Sequence, residues 1–238
     1  MTDPVLDKAG GRYHFGYGSI SRKSSNPALT ADEIGSIDLV LLSHHQHQDN
    51  FDRAGQAFTR QVPLVISTQQ AARKLPNAIG LAPWEVVAIA TAKVPGLCVT
   101  ATPGRHHPAW LPEFFTGKVT GFIIAYAGQQ EGVIYISGDT VLDKKLHRIG
   151  QNYRVDIAIL HLGAVRFPYL TGFSKYTMEA RDGIKLATDL RANKVIPVHT
   201  SGWSHFKEDQ GQAKALFASS AVGGKTIWLT SGEETVIG

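Results

Sequence analysis

The sequence predicts an α/β layered sandwich, and three observations carry the prediction. Apolar runs rich in Val, Ile and Leu recur between polar or Gly/Pro punctuation, as strands require. Stretches with helical spacing sit between some of these runs. The first half is strand-rich and hairpin-like, whereas the second alternates strand and helix, the pattern of sheets covered by helices on their outer faces.

The elements follow in order. Strands are expected at Ile37–Ser43, Val62–Ser67, Glu85–Thr91, Leu97–Thr102, Val119–Gly128, Gly132–Gly138, Val155–Gly163, Lys194–Thr200 and Lys225–Ser231, each a short aliphatic run bounded by turn formers. Helices are expected at Thr68–Leu75, Val141–Ile149, Thr177–Ala192 and Glu208–Val222. In the third, Met178, Ala180, Ile184, Ala187 and Leu190 roughly keep one face, and Thr177 is a plausible cap. No short-period repeat and no linker interrupts the chain, so residues 1–238 are expected to form a single domain.

Composition narrows the function. The 43% hydrophobic content of 238 residues is enough for a sizeable core, and the scattered charges argue against a disordered or coiled-coil protein. The net charge of +4 is mild, and no Lys/Arg run suggests a nucleic-acid arm. Cys98, the lone cysteine, excludes an internal disulfide and is expected to be a buried, inert thiol within "LCVTAT". No basic-then-apolar leader and no membrane-length apolar stretch is present, so the expectation is a cytoplasmic protein without a membrane partner.

Chemistry collects where the apolar runs stop. "LVLLS" is followed by His44, His45, Gln46, His47, Gln48 and Asp49; "LCVTATPG" by Arg105, His106 and His107; "GVIYIS" by Gly138 and Asp139. "VDIAIL" ends in His161 and "KVIPV" in His199. Strand ends in layered α/β folds are where ligands gather, because the scaffold is rigid and the loops are free. Imidazole nitrogen and carboxylate oxygen are ligands of divalent zinc, and no single segment holds enough of them, so a metal site must be assembled from several strand ends. In an extended turn, His45, His47 and Asp49 would share one side at a two-residue step.

These residues resemble the metallo-β-lactamase-fold hydrolases. The family's His-x-His-x-Asp-His motif is similar to "HQHQDN", His45 to Asn50; its next histidine to His106, its bridging aspartate to Asp139 and its last histidine to His199. The segment from "LHLGAVRF" to "VIPVHTSGW" further resembles the lactonase-like branch, which includes ascorbate-phosphate lactonases. The resemblance implies a four-layered αββα sandwich with metals between the edges of two sheets. The implied metal ligands are His44 or His45, then His47, Asp49, His106, Asp139 and His199. The two-residue step favours His45, but one extra loop residue would make His44 the ligand. Asn50 stands where the family has histidine, which weakens a second site or turns it to a harder ion through the amide carbonyl. Zn2+ or Mn2+, one or two ions, is therefore expected. The family's opening strand pair has no obvious counterpart, and the first N-terminal strands are expected to be missing or supplied by a partner, an unpaired edge that favours a homo-oligomer.

The reaction so implied is metal-assisted hydrolysis of a small ester or lactone, with a metal-activated water. Asp49 would orient that water or take its proton, and His161 would assist the leaving group. A phosphodiesterase or nuclease and a non-catalytic metal or ligand sensor are the alternatives. The partner is a small molecule rather than nucleic acid. Tyr176 could donate to a developing oxyanion, and Trp203 and His205 are expected at the pocket rim.

Overall fold

The structure is a computed structural model that describes residues 1–16 and 18–237. Its strands are β1 (Arg12–His14), β2 (Ile20–Arg22), β3 (Leu39–Leu41), β4 (Leu64–Thr68), β5 (Ala78–Leu81), β6 (Val86–Ala88), β7 (Cys98–Pro103), β8 (Thr120–Ala125), β9 (Val133–Ile136), β10 (Val155–His161) and β11 (Lys194–Val198). The helices are α1 (Ala31–Ile34), α2 (Arg53–Thr59), α3 (Gln69–Ala72), α4 (His147–Asn152), α5 (Pro168–Thr171), α6 (Ala180–Leu190) and α7 (Gln210–Ala218).

Strands β3, β4 and β5 form a parallel sheet. The larger sheet runs β11-β10-β9-β8-β7-β6, with β9, β10 and β11 parallel and the remaining pairs antiparallel. Side-chain alternation explains the layering. Along β3, Leu39 and Leu41 point inward and meet Val99, Ala101, Phe122 and Ile136 of the larger sheet. Val40 and Leu42 point the other way and pack with Phe51, Phe58 and Val65 beneath α2. The far face of the larger sheet carries Ile123, Tyr135, Ala158 and Leu160 against Leu146 and Ile149 of the α4 region, Leu186 and Leu190 of α6, and Phe217 of α7. The order helix, sheet, sheet, helix is the expected four-layered sandwich.

Several local expectations change. Helix α6 is capped not by Thr177 but by Glu179, whose carboxylate accepts from the N3 backbone while Asp182 reaches back in a capping box. Of Lys225–Ser231 only the first pairing forms: Thr226 bridges Val195, and the Ile227 N–H donates to the Val195 carbonyl. The next outward-facing position of β11 is Pro197, which has no N–H to continue a ladder. Cys98 is only partly buried. The opening of the chain is not bare of strands. β1 and β2 form an antiparallel hairpin, and Thr2 bridges Leu41 along the edge of β3.

That opening is tied to the helical layer through Asp52. Its carboxylate caps α2 at the Gly55 N–H (2.8 Å), accepts the N–H groups of Leu6 (2.9 Å) and Asp7 (2.7 Å), and pairs with the buried Lys23 ammonium at 3.0 Å. Four donors satisfy one buried carboxylate, so the loop after β3 is fixed from below.

Candidate metal centre

The C-terminal ends of β3, β7, β9, β10 and β11 deliver the polar residues to one edge of the sandwich. Two groups assemble there. His44, His47 and His106 have ligand atoms all within 4.8 Å of one another, and so do Asp49, Asp139 and His199. Six residues expected at the site are thus brought together. His45 is not among them. It lies outside both groups, its pKa lowered to about 4 by burial and the neighbouring Lys74. The structure places His44, not His45, in the candidate groups: the chain bends after Ser43, with the Phe51 N–H donating to the His47 carbonyl, so the two-residue step of an extended strand does not apply.

The hydrogen bonds fix which nitrogens face inward. Asn50 donates its amide N–H to the His44 carbonyl, which leaves Oδ1 to accept from Ser43 Oγ at 3.1 Å. With its proton so used, Ser43 Oγ accepts from His44 Nδ1 at 3.0 Å. His106 Nδ1 donates to the Tyr176 carbonyl at 2.9 Å, and His199 Nδ1 to the Leu162 carbonyl at 3.2 Å. All three imidazoles consequently present an unprotonated Nε2 to the centre, the arrangement found behind metal-ligating histidines. Asn50, which stands where the family has histidine and could have offered only an amide carbonyl to a second ion, is consumed at both ends as a brace for the loop.

The donor set fits a cation. His47 Nδ1 lies 3.1 Å from His44 Nε2 and 3.0 Å from His106 Nε2, and one proton could serve only one of those two lone pairs. Asp139 is fully buried with neither carboxylate oxygen hydrogen-bonded, and Asp49 Oδ1 and His199 Nε2 are likewise buried without partners. Buried polar atoms in such number require a partner. Burial lowers the pKa of His44, His47, His106 and His199, so the rings stay neutral and able to ligate. Burial also pushes Asp139 well above the carboxylate range, aided by the Asp49 charge. Burial opposes ionisation of Asp49 too, but the His205 hydrogen bond and the nearby imidazoles outweigh it and hold that carboxyl well below its ordinary value.

Backbone strain and close approach mark two of the ligand-bearing turns. His199 has φ +58°, a left-handed conformation that is costly for a residue with a Cβ. Gly138 precedes Asp139 at φ +59°, where a Cβ would lie 2.6 Å from the Thr120 carbonyl oxygen and 2.8 Å from Ser43 Cβ.

Among the described residues, a cavity of about 250 Å³ touches His47, and two others touch several residues of the centre. One of about 150 Å³ is lined by apolar and aromatic side chains and touches His47, Asp49, His106 and Tyr176. The other, about 570 Å³ and more polar, opens behind it onto Asp3, Asp49, His161, His199 and Trp203. His161, expected to assist catalysis, belongs to the second cavity and not the first. Its Nε2 lies 3.6 Å from Asp3 Oδ2, and burial lowers its pKa to about 3. His107 is nearly buried, its Nδ1 donating to the Pro108 carbonyl.

The contacts of two residues near the centre were not foreseen from the sequence. His205, expected at the rim, is 3% exposed and donates through Nε2 to Asp49 Oδ2 at 2.8 Å, while its Nδ1 meets Ser21 Oγ in β2. Asp3 accepts the Ser43 N–H at 2.7 Å and has its pKa raised to about 7, chiefly by burial. Only the histidine content of "SGWSHF" hinted at the first, and nothing local marks the second.

Fold and site define a metal-dependent hydrolase of the metallo-β-lactamase type. Residues 1–200 match the family model described as the β-lactamase superfamily domain. A UPF0173 metal-dependent hydrolase of Methanoregula boonei is 31% identical over 190 residues, 77% of this chain and 75% of that one. Another, of Pyrobaculum aerophilum, is 28% identical over 199 residues, 80% and 77% of the two chains. The chain belongs to the UPF0173 metal-dependent hydrolases of the β-lactamase superfamily. The isothiocyanate hydrolase from Delia radicum gut bacteria shares the fold, with a TM-score of 0.79 at 18% identity over 99% of this chain and 91% of that one. No helix among the described residues is long and apolar enough to cross a membrane.

Proposed function

We propose that the protein hydrolyses a small, neutral carbonyl substrate, an ester or lactone, at the centre formed by His44, His47, Asp49, His106, Asp139 and His199. The observation that carries this reading is the character of the front cavity: it opens onto His47, Asp49 and His106, and among the described residues no Lys or Arg lines it. A phosphodiester would bring a negative charge that such a wall leaves uncompensated. The three imidazoles suit zinc, whereas the second group, with two carboxylates and one imidazole, suits a harder ion such as Mn2+ and holds it more weakly.

A divalent cation held by these residues would lower the pKa of a bound water towards about 7 and polarise the carbonyl oxygen. The chain supplies the rest. Asp49, kept ionised by His205, turns Oδ1 into the centre as a proton acceptor or ligand. Tyr176 lines the cavity with a hydroxyl whose pKa burial raises, so it stays protonated at neutral pH and can donate to the developing oxyanion. His161 and Asp3 act from the polar cavity, where water reaches the centre.

The test sets a lactone and ester panel beside bis-p-nitrophenyl phosphate and an aryl isothiocyanate, the last prompted by the structural likeness reported above. Turnover of a lactone or ester, abolished by chelation and restored by Zn2+ or Mn2+, is expected. Faster hydrolysis of the phosphodiester than of any carbonyl compound would overturn the reading.

A further inference from the structure

The shape of the front cavity goes further than the reaction class, and this inference rests on the carbonyl-hydrolase reading above. We infer that the substrate carries a neutral apolar group of roughly phenyl size, seated between Phe15, Leu111, Phe115, Val165 and Phe167, with any longer tail leaving past Trp110.

Three observations support it. The cavity volume, about 150 Å³, matches the size at which a dry, apolar-lined protein cavity holds a benzene molecule. Its walls are aliphatic and aromatic, and its inner end is His47, Asp49 and His106, so a guest filling it is held against the centre. Among the described residues the only carboxylate at the cavity is Asp49, which is already engaged with His205, and no cationic side chain lines it. A charged tail would lose its hydration there with nothing to replace it.

The mouth is built to extend the same surface. Trp110 is 64% exposed, and its indole N–H donates to Ser174 Oγ at 3.3 Å, joining the loop after His106 to the loop after Phe167. Phe114, 76% exposed, packs on Phe115 of the cavity wall with ring centroids 4.0 Å apart. Aromatic side chains at such a position offer contact area with little rotamer entropy to lose. Beyond the cavity, therefore, an apolar tail still gains contact, but less for each carbon than inside.

The experiment uses the full chain loaded with Zn2+ and a series of γ-lactones with straight alkyl substituents from methyl to heptyl. Each methylene buried inside is expected to raise kcat/KM about 3- to 4-fold until the cavity is filled at about six carbons, after which the rise flattens. Leu111→Trp, at a half-exposed position on the rim, plugs the cavity and is expected to make the series nearly flat. Trp110→Ala is expected to lower the ratio of heptyl to methyl rates. A second arm measures binding of n-alkanols, ethanol to octanol, by quenching of tryptophan fluorescence, and needs no turnover. Affinity there is expected to climb with chain length to hexanol and to lose that dependence in Leu111→Trp. If no lactone is hydrolysed but alkanols follow this order, the carbonyl-hydrolase reading fails and the assignment of the cavity stands. Rates or affinities independent of chain length overturn the inference, as does a preference for a lactone bearing a terminal carboxylate over its neutral equal.

Discussion

Replacing Asn50 by alanine tests whether this residue is a brace or a ligand. Asn50 is 3% exposed and holds two buried groups, the Ser43 hydroxyl and the His44 carbonyl. Leaving a buried donor or acceptor unpaired costs about 1–3 kcal/mol, so losing both partners should remove about 2–6 kcal/mol from the metal-free protein. That is a large part of the roughly 5–15 kcal/mol that holds a domain together. A second effect follows from the direction of the protons. Without Asn50 Oδ1 to receive it, the Ser43 hydroxyl proton can turn to His44 Nδ1, which moves the ring proton to Nε2 and covers the lone pair facing His47 and His106. Metal affinity should then fall by about 10- to 100-fold, as it does when such outer hydrogen bonds are removed. Asn50→Asp keeps the acceptor but sets a second oxygen against the His44 carbonyl, and should lose at least as much stability. Urea unfolding of the metal-free protein and competitive zinc titration measure the two quantities. A stability change under about 0.5 kcal/mol together with unchanged zinc affinity would refute the reasoning.

Three further perturbations read other parts of the site. His205→Ala removes the donor that orients Asp49 Oδ2 and should weaken metal binding about 10- to 100-fold, with His205→Gln recovering part of it; equal zinc affinity in all three proteins would show that the contact is idle. Gly138→Ala forces a Cβ against the Thr120 carbonyl at a left-handed position. It should destabilise the protein by more than the roughly 1–2 kcal/mol of the backbone conformation alone, read as a drop in Tm. Asp3 has a folded pKa raised to about 7 from 3.8, so the folded state binds its proton more tightly than the unfolded chain. Its carboxyl therefore favours folding most below about pH 4, and that advantage is lost as pH rises through about 7. Asp3→Asn, which keeps the acceptor for the Ser43 N–H, should make the metal-free protein more stable than the parent at pH 8, by at most about 4 kcal/mol, and no more stable at pH 3.5. Parallel stability curves across that range would contradict the assignment.

The sequence made the sandwich legible because hydrophobic runs and their periodicity survive whatever packs against them. The ends of β3, β7, β9, β10 and β11 were visible for the same reason: each apolar run stops at His or Asp. What failed was geometry inside loops. His45 was favoured on an alternation that holds only while the chain stays extended, and the bend after Ser43 turns His44 inward instead. Asn50 was read from its motif position as a weakening of the second site, whereas its brace role depends on Ser43 and His44, which that same bend brings to it. His205 and Asp3 sit in irregular chain, and long-range contacts bring them to the site. His205 is held by Ser21 of β2, and Asp3 by the edge of β3. β1 and β2 each carry a single buried residue between exposed neighbours, which leaves no apolar run of the kind that marks β3 or β6.

Asp49 borders both cavities, so it stands as a partition between an oily antechamber and a wet one. A bulky guest can close the front without drying the back. Solvent would then keep its own way to the candidate centre while a substrate fills the front.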